Sequence, residues 1–175
     1  RAIFPLPAVT KQSRVSVEQA IAQRKVRTNF TEKTLTLKQL SQIVWAMQGV
    51  TVDWGDRTVP SVHSVYPLSI YVEVNHVTDL PSGIYEYIPG DLKPIHQLGQ
   101  IKVGDFHSPL EAASNLSSTK DAPLVILITA NFKKMAQSFN GVPHDDDVFL
   151  EAGMVTQNLA LQLETLGLGT VATKK

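Results

Sequence analysis

The first residues that could do chemistry are a cluster of three cations, Arg24, Lys25 and Arg27. Together they could clamp a phosphate, because arginine offers a planar fork of N–H donors and lysine adds a compact positive charge. A structural role is the alternative, since cations near the carboxyl end of a helix stabilise the helix dipole. The residue types leave both the phosphate clamp and the structural role open.

The stretch from Arg57 to Pro67 is a second candidate, because it combines small hydroxyl side chains with prolines that fix the backbone. Ser61, Ser64 and the backbone N–H groups near them could line a planar polar ligand, although the same composition suits a rigid connector. His63 lies inside this stretch and is a possible catalytic residue, since imidazole exchanges protons near neutral pH. A lone histidine is, however, more often a surface residue or a fully bonded one.

Four consecutive residues, His144 to Asp147, carry an imidazole and three carboxylates, which are ligands that divalent cations accept. Consecutive residues seldom converge on one ion, however, and acids at the start of a helix cap it and stabilise its dipole. We therefore predict a helix start here and assign no metal site. Because the sequence contains no cysteine, any redox chemistry must come from a bound cofactor.

Signatures of several enzyme classes are missing from the sequence, including GxGxxG, GxxxxGKS/T, HExxH and GxSxG. The 16 Lys and Arg residues balance the 16 Asp and Glu residues, which argues against a nucleic-acid partner. No apolar run reaches the roughly 18 to 20 residues that span a bilayer, so we expect no membrane partner. We expect a cytoplasmic protein, although the sequence opens with Arg1 and a leader ahead of it would not be visible.

Three capping boxes predict where helices begin, because a Ser or Thr side chain there bonds the backbone three residues later and a Gln or Glu side chain bonds back. The boxes are Ser16 with Gln19, opening a helix that runs to about Lys25, Thr36 with Gln39, and Ser108 with Glu111. The second helix is amphipathic and should end at Gly49 in the left-handed conformation. Pro109 should occupy the first position of the third helix.

Alternating and unbroken apolar runs predict four strands. They cover Leu68 to Val74, Ile84 to Ile88, Lys93 to Leu98, and Leu124 to Thr129, the last as a central strand buried on both faces. Pro89 and Gly90 separate the second strand from the third. Because helices and strands are interleaved, we expect an α+β or mixed α/β class, with an extended arm over residues 1–14 and a single domain over residues 15–175.

The last predicted helix starts after Asp147 and runs to Gly167, with few charged residues along it. Between Val148 and Leu166 only Glu151 and Glu164 are charged, which is too few to coat the exposed face of an ordinary surface helix. We therefore expect this face of the helix to contact another chain.

Three sets of residues follow one another in an order typical of a known family. They are Val15 to Lys25 with Phe30 and Leu35 to Gly49; Arg57 to Ser61 with Tyr66 to Leu68; and Glu151 to Gly153 with Gln157, Asn158 and the turn from Leu166 to Thr170. Together they span roughly residues 15 to 171. With these segments in this order, the chain resembles the flavin-dependent nitroreductase superfamily, and most of all its SagB-type dehydrogenase branch.

The resemblance implies a central mixed or antiparallel sheet flanked by helices, and an intertwined homodimer built on a long central helix with FMN at each of two subunit interfaces. Residues that fall at cofactor-binding positions are Arg24, Lys25, Val26 and Arg27 at the phosphate or ribityl end, Pro60, Ser61, Val62, His63 and Ser64 at the isoalloxazine ring, and Gly167, Leu168 and Gly169 near the ring or the phosphate. The implied FMN-dependent oxidoreductase passes hydride or electrons through flavin N5, from a reductant such as NAD(P)H to a small-molecule or peptide acceptor.

Departures from the family pattern leave a second function open. The family commonly has serine and arginine at the positions of Val26 and Thr28, so a phosphate contact is lost unless Arg27 replaces it. Family members usually continue beyond the Gly-Leu-Gly turn, whereas this sequence ends at Lys175, with Lys174 and Lys175 as candidate substitutes for the phosphate contacts. The alternative function is a catalytically degenerate dimer that stores flavin or binds a partner.

Overall fold

The computed structural model describes residues 1–31, 33–114, 117–119 and 121–173, with only the backbone of Ser118. Its strands are β1 (Ile3–Pro5), β2 (Leu68–Val74), β3 (Gly83–Ile88), β4 (Gln97–Val103) and β5 (Leu124–Ala130). Its helices are α1 (Val17–Gln23), α2 (Leu37–Gln48), α3 (His107–Ser114), α4 (Phe132–Gln137) and α5 (Asp145–Thr165). Short turns of 3₁₀ helix lie at Val62–Ser64 and Ser117–Thr119.

The described strands form one antiparallel sheet in the order β1-β4-β3-β2-β5. Strands β2, β3 and β4 form a meander, while β5 lies on the other side of β2, with Leu68 opposite Ala130 and Val74 opposite Leu124. Helices α2 and α5 pack against each other and enclose the apolar core together with the sheet. The predicted α+β class, with an antiparallel sheet and helices around it, is confirmed.

Part of the N-terminal arm is a strand, which the sequence does not predict. Ile3–Pro5 pairs with β4, and the pairing is extended by Gln100 N–H, which donates to Ala2 at 2.9 Å, and by Leu6 N–H, which donates to His96 at 3.2 Å. An unpaired strand edge exposes a row of backbone donors and acceptors, and on β4 the arm satisfies that row. The arm predicted over residues 1–14 therefore includes one edge of the sheet.

Two of the strand predictions are wrong in position. The chain from Lys93 to Leu98 is mostly a turn, because Gly90 is left-handed (φ 97°) and the Ile95 N–H donates back to the Pro89 carbonyl at 2.9 Å. Strand β4 begins only after this turn has closed. Strand β5 is an edge of the sheet instead of a central strand, and residues 124–128 are half-buried, because β2 is its one partner within the described residues.

The first two predicted capping boxes are present. Ser16 and Thr36 accept from the backbone N–H three residues later, and the glutamines of both boxes accept in return. Gly49 caps the end of α2, but its φ of −64° is not left-handed. A Cβ on Gly49 would lie 2.1 Å from Cδ1 of Trp45, so glycine is needed here for the close approach of the indole.

The ends of two other helices differ from the prediction. Helix α3 begins at His107, whose backbone N–H donates to Asp105 Oδ1 at 2.8 Å, so Asp105 and not Ser108 bonds its first turn. Helix α1 ends at Gln23, and Arg24 is its C-terminal cap. The basic cluster therefore follows the helix instead of lying within its last turn.

Helix α5 has 21 residues and carries three aspartates in its first turn, as predicted. Its buried side chains are Val148, Glu151, Val155, Leu159 and Leu163. Glu151 thus lies on a stripe that is otherwise aliphatic. Phe149 and Leu150, outside this stripe, are 65% and 57% exposed. None of the described helices is long and apolar enough to cross a membrane.

Candidate functional site

A cavity of about 530 Å³ brings together two of the predicted cofactor-binding groups, Arg27 and the turn formed by Gly167, Leu168 and Gly169. It lies between β5 and the carboxyl-terminal half of α5. Further lining residues come from 27–31, 33–35 and 166–173, from Gln39 and Ile43 of α2, and from Thr119, Ala122 and Pro123. Its apolar walls come from Phe30, Leu35, Ile43, Leu124, Ile126, Ile128, Leu159, Leu163, Leu166 and Leu168. Its volume falls in the range of roughly 300–1,000 Å³ that small-molecule sites occupy.

Arg27 joins two parts of the cavity lining through three contacts. Its backbone N–H donates to the Thr170 carbonyl at 3.0 Å, and its guanidinium forms a two-pronged ion pair with Glu164, with Nη2 3.1 Å from Oε2. Its methylene stem covers Gly169, where a Cβ would come within 2.8 Å of Arg27 Cδ. Close packing of this stem therefore requires glycine at position 169. We call these three contacts the Arg27 clasp.

The Arg27 clasp fixes the charges at this end of the cavity. The Glu164 side chain is only 8% exposed, and its hydrogen bond with Arg27 holds the Glu164 pKa below the usual range. The same hydrogen bond raises the pKa of Arg27. The family's arginine is absent at Thr28, and the sequence offers Arg27 as its replacement in binding the phosphate. The Arg27 guanidinium is already paired with Glu164, so its contact with a phosphate stays a prediction. The other candidate substitutes, Lys174 and Lys175, lie outside the described residues.

Arg24, Lys25 and Val26 follow α1 with exposed side chains. Arg24 caps the helix through its backbone N–H at 2.9 Å from the acceptor, and the Lys25 carbonyl accepts from Arg27 Nη1 at 3.2 Å. Neither the Arg24 nor the Lys25 side chain has an ion-pair partner among the described residues. Since they adjoin the Arg27 clasp along the chain, these two cations are candidates to meet an anionic group at the cavity end.

The second predicted group, Pro60 to Ser64, does not line this cavity. It belongs to residues 57–66, where His63, Ser64 and Tyr66 are all left-handed, with φ of 51°, 54° and 48°. Each such residue costs about 1–3 kcal/mol and persists only where the surroundings hold it, and residues of this kind cluster at functional sites. We call residues 57–66 the strained segment.

Hydrogen bonds within the strained segment and from α5 fix its shape. The Tyr66 N–H donates to Ser61 Oγ at 2.8 Å, and the Arg57 N–H donates to the Tyr66 hydroxyl at 3.2 Å. The central carbon of the Arg57 guanidinium lies 4.3 Å from the centre of the Tyr66 ring, which is a cation–π contact. From α5, Asn158 Nδ2 donates to the Thr58 carbonyl at 3.0 Å. The segment is therefore held by its own side chains and by the long helix.

A buried polar network joins the strained segment to α2 and α5. Arg57 Nη1 donates to Gln48 Oε1 at 3.0 Å, and Gln48 Nε2 donates to Glu151 Oε1 at 3.1 Å. Gln48 and Glu151 are each 1% exposed. Glu151 Oε2 and Arg57 Nε are buried and have no hydrogen-bond partner among the described residues. A partly satisfied buried network is unfavourable for stability, and such departures from good packing are expected at functional sites.

Burial dominates the titration of this network. It raises the pKa of Glu151. The groups that oppose this shift are Ser61, Gln48, Arg57 and Lys134. Burial also lowers the pKa of Arg57 and raises that of Tyr87, and both side chains line a second cavity of about 270 Å³. Titratable groups with perturbed pKa values concentrate at functional sites, so the network is part of the candidate site.

His63 has an exposed side chain, and its ring stacks on Phe139 with the ring centres 4.5 Å apart. Phe139 also stacks with His144 at 3.6 Å, and His144 Nδ1 lies 3.0 Å from Asp147 Oδ2. This series of contacts ties the strained segment to the start of α5. The stacking gives His63 a structural contact, and its role in proton transfer stays a prediction.

The acidic start of α5 has the predicted helix-start arrangement. Asp145, Asp146 and Asp147 occupy the first turn, where the helix dipole favours negative charge. Possible ligand atoms of His144, Asp146 and Asp147 lie within 4.8 Å of one another. The dipole and the contact between His144 and Asp147 account for this grouping, and we assign no metal to it.

Sequence reasoning gave no role to Gln48, Glu151 or Glu164, which the structure places in the candidate site. A usable signal existed for the two glutamates, because they are the only charged residues between Val148 and Leu166. Glu151 also falls on the buried stripe of α5, where an isolated carboxylate needs a partner. Gln48 gave no such signal, since its two partners are 9 and 103 positions away.

The larger cavity offers apolar walls to a planar ring and the cations Arg27 and Lys33 to a phosphate, whereas Arg24 and Lys25 do not line it. Its aliphatic walls can cover a ring system, and Gly167 leaves open backbone at one end. Arg24 and Lys25 add positive charge nearby in the chain. The FMN that the sequence resemblance implies has this chemistry. Within one chain, however, the cavity and residues 60–64 are not brought together.

Comparison with known proteins agrees with the sequence resemblance. The family model described as Nitroreductase family matches residues 21–174. A protein of Methanocaldococcus jannaschii that is named as a nitroreductase is 35% identical over 158 residues, which cover 90% of this chain and 78% of that protein.

Solved structures share the fold. A crystal structure from Ralstonia eutropha JMP134, named as a nitroreductase, matches with a TM-score of 0.74 and 26% identity, over 95% of this chain and 73% of that chain. A Desulfovibrio desulfuricans protein named likewise, in complex with FMN, matches with a TM-score of 0.55 and 17% identity, over 87% of this chain and 64% of that chain, which shows the fold alone. The SagB-type branch stays a prediction, whereas the superfamily is confirmed. The chain belongs to the nitroreductase family of oxidoreductases.

Proposed function

We propose that the protein is an FMN-dependent oxidoreductase that passes hydride or electrons between a reductant such as NAD(P)H and a small-molecule or peptide acceptor. The observation that carries this proposal is the cavity of about 530 Å³ that Arg27 and the Gly167, Leu168 and Gly169 turn both line. The FMN in the Desulfovibrio relative supports the choice of cofactor. When bound, FMN supplies hydride and electron transfer at N5, which the side chains of a chain without cysteine do not offer.

In this proposal the residues at the cavity end hold the phosphorylated end of the cofactor. Arg24 and Lys25 pair with the phosphate, and the Arg27 clasp keeps this stretch of chain beside the glycine turn. The backbone of Gly167 allows close approach because no side chain intervenes, whereas the stem of Arg27 covers Gly169. The aliphatic walls from β5 and α5 cover the ring system and exclude water from it.

A second copy of the chain completes the site in this proposal. The resemblance gives Pro60 to Ser64 a place beside the ring, yet these residues do not line the cavity of their own chain. In a homodimer the strained segment of one copy can meet the cavity of the other. Phe149 and Leu150 of α5 offer exposed apolar surface for that contact. We keep the cytoplasm as the proposed compartment.

Titration of the purified, cofactor-free protein with FMN tests the proposal, with FMN fluorescence and absorption as readouts. Replacing Arg24 and Lys25 together with alanine should weaken binding at least about tenfold, since one hydrogen bond to a charged group contributes about 1.5–3 kcal/mol. The matched control is Lys11→Ala combined with Arg14→Ala, which removes two cations from the exposed arm. A wild-type chain that takes up no FMN, or an equal loss in both double variants, would refute the assignment.

The alternative is a catalytically degenerate dimer that stores flavin or binds a partner. Val26 and Thr28 stand where the family has serine and arginine, and the Arg27 guanidinium is paired with Glu164. Reduction kinetics separate the two functions, because in an oxidoreductase NAD(P)H bleaches the bound flavin and an acceptor restores its colour. Bound flavin that dithionite reduces, but NAD(P)H does not, and that no quinone or nitroaromatic compound reoxidises, would favour the degenerate dimer.

A further inference from the structure

We propose that Glu151 is a positioning residue, which holds the strained segment in its working shape through Gln48 and Arg57. The effect of this positioning on catalysis rests on the proposed function, because only in that proposal does the strained segment border the cofactor. The positioning itself rests on contacts within this chain.

The strained segment has several anchors outside itself, among them Asn158 Nδ2 and Lys134 Nζ, which donate to the Thr58 and Tyr66 carbonyls at 3.0 Å. His63, Ser64 and Tyr66 adopt left-handed conformations that side chains other than glycine disfavour. The bond from Tyr66 N–H to Ser61 Oγ closes the turn, but it joins only residues of the segment. Arg57 is the residue of the segment whose side chain reaches the buried amide of α2.

Gln48 fixes the direction of the hydrogen bonds in the network. Its Oε1 accepts from Arg57 Nη1, so its amide nitrogen has to donate, and the acceptor is Glu151 Oε1 at 3.1 Å. A hydrogen-bond donor at position 151 would favour the flipped Gln48 amide. The Gln48 NH₂ group would then face Arg57, which would lose its acceptor. Position 151 therefore requires an oxygen acceptor, which glutamate and glutamine both supply.

A carboxylate at position 151 is unfavourable for stability, which argues that its contacts have another use. Glu151 is 1% exposed, and its Oε2 has no hydrogen-bond partner among the described residues. The groups that face it are the cations Arg57 and Lys134 and the neutral side chains of Gln48 and Ser61. An aliphatic residue would instead continue the stripe formed by Val148 and Val155. A buried carboxylate with an unbonded oxygen carries a desolvation cost that an aliphatic side chain avoids, so stability alone does not explain Glu151.

Amide hydrogen exchange of the cofactor-free protein, read by NMR, tests the positioning. The informative amides are those of Arg57 and Tyr66, since both N–H groups are bonded inside the strained segment. In Glu151→Ala and in Gln48→Met, we expect these two amides to exchange about tenfold faster, relative to amides of β2. Glu151→Gln keeps the acceptor and should stay within about threefold of wild type.

Gln42→Met is the matched control. Gln42 forms another amide bridge between α2 and α5, to Gln162 Oε1 at 3.0 Å, and its other bonds go to Thr10. The inference is wrong if Gln42→Met speeds exchange at Arg57 and Tyr66 equally, if the two disruptive variants leave it unchanged, or if Glu151→Gln behaves like alanine. Should Glu151→Ala fail to fold, Gln48→Met and Glu151→Gln decide the question.

A kinetic readout separates this inference from the proposed function. If FMN binds as proposed, Glu151→Ala should slow flavin reduction about tenfold or more with little change in FMN affinity, because Arg24 and Lys25 remain intact. If the wild-type chain binds no FMN, the proposed function fails, while hydrogen exchange still decides the role of Glu151. Normal flavin reduction in a variant whose strained segment exchanges faster would overturn the catalytic consequence.

Discussion

The buried carboxylate of Glu73 should make the stability of this protein depend on pH in a measurable direction. Glu73 lies in β2 with 0% exposure, between the equally buried Val72 and Val74. Neither of its oxygens has a hydrogen-bond partner among the described residues, and His107 Nδ1 is 3.8 Å away, beyond hydrogen-bond distance. Burial raises the pKa of Glu73 most strongly, while His107 opposes the shift and Asp105 adds to it.

The sign of the effect follows from the raised pKa of Glu73. Above the ordinary value of 4.5, the unfolded chain has released this proton while the folded chain still holds it. Stability therefore falls as pH rises from that value through the folded pKa, and the loss is complete above it. At lower pH both states are protonated, and Glu73 then adds no pH dependence.

Glu73→Met removes the polar group and roughly keeps its length, so its effect measures the penalty of burying the carboxylate. One buried unsatisfied polar group costs about 1–3 kcal/mol, and a charged one costs more. Near pH 8 we expect Glu73→Met to be more stable than wild type by at least about 1–3 kcal/mol. For a chain of this length, each kcal/mol raises Tm by about 2–4 °C. Near pH 4 the gain should shrink, because the wild-type carboxyl is then neutral.

Thermal and urea unfolding of wild type, Glu73→Met and Glu73→Gln, from about pH 4 to pH 8, provides the measurement. Glu73→Gln separates charge from polarity, since it keeps a buried polar group that does not titrate. Glu151 adds a decline of the same sign to all three proteins, so the differences between the curves carry the result. If Glu73→Met is less stable than wild type by an amount independent of pH, the reasoning fails.

Four further outcomes follow from single contacts. Gly49→Ala should destabilise the fold by about 1–3 kcal/mol, because the added Cβ would lie 2.1 Å from Trp45 Cδ1. Urea unfolding followed by tryptophan fluorescence measures this loss, and an unchanged unfolding midpoint would contradict the prediction. Gly153→Ala should instead stabilise α5 by about 0.5–1 kcal/mol, since no described atom outside the neighbouring residues and the local helix backbone lies within 4 Å of the added carbon. A lower Tm would show the position to be crowded. Arg27→Met should be less stable than wild type at neutral pH, because the Arg27 clasp includes the ion pair with Glu164. The stabilities of the two proteins should converge as pH falls through the lowered pKa of Glu164, where the carboxylate becomes neutral. A stability difference that persists in acid would show that the ion pair is not its cause. His96 lies 2.7 Å from Ser41 Oγ and 2.8 Å from the Tyr87 hydroxyl, and burial lowers the pKa of His96. The stability of the protein should therefore fall as pH drops below 6.5, the ordinary pKa of histidine. Hydrogen exchange of the β1 amides, corrected for the intrinsic effect of pH, should become faster in that range in wild type but not in His96→Gln.

Local hydrogen-bond patterns explain which elements could be predicted from the sequence. The starts of α1 and α2 follow from side chains three residues apart, and β2 follows from alternation over seven residues. The start of β4 does not follow from the sequence, because the bond from Ile95 to Pro89 decides where pairing resumes after the turn. The edge position of β5 depends on which strands find β2, and an apolar run carries no information about that.

The candidate site divides in the same way. The cations Arg24, Lys25 and Arg27 were found because their types alone suggest an anion partner. The pair between Arg27 and Glu164, in contrast, spans 137 positions, and the bond between Gln48 and Glu151 spans 103. No local pattern reports contacts at such separations, so the clasp and the buried network became visible only in the folded chain.

These two contacts account for the two charged residues that α5 carries after its acidic first turn. Glu164 pairs with Arg27 at the cavity end, and Glu151 bonds Gln48 next to the strained segment. The two glutamates are 13 positions apart. At 1.5 Å and about 100° per residue, their contacts are separated by about 20 Å along the helix and point to different sides of it.

Both charged residues that α5 carries after its first turn therefore serve internal contacts, and neither solvates the outer face. Phe149 and Leu150 leave apolar surface exposed there, as expected of a face that another chain covers. Because one rigid helix contacts both the cavity end and the strained segment, it holds the two parts of the proposed site at a fixed separation. In the proposed homodimer, each copy would dock on α5 of the other. The fixed separation would then align the strained segment of each copy with the cavity of the other at the same time, so that two equivalent sites form together.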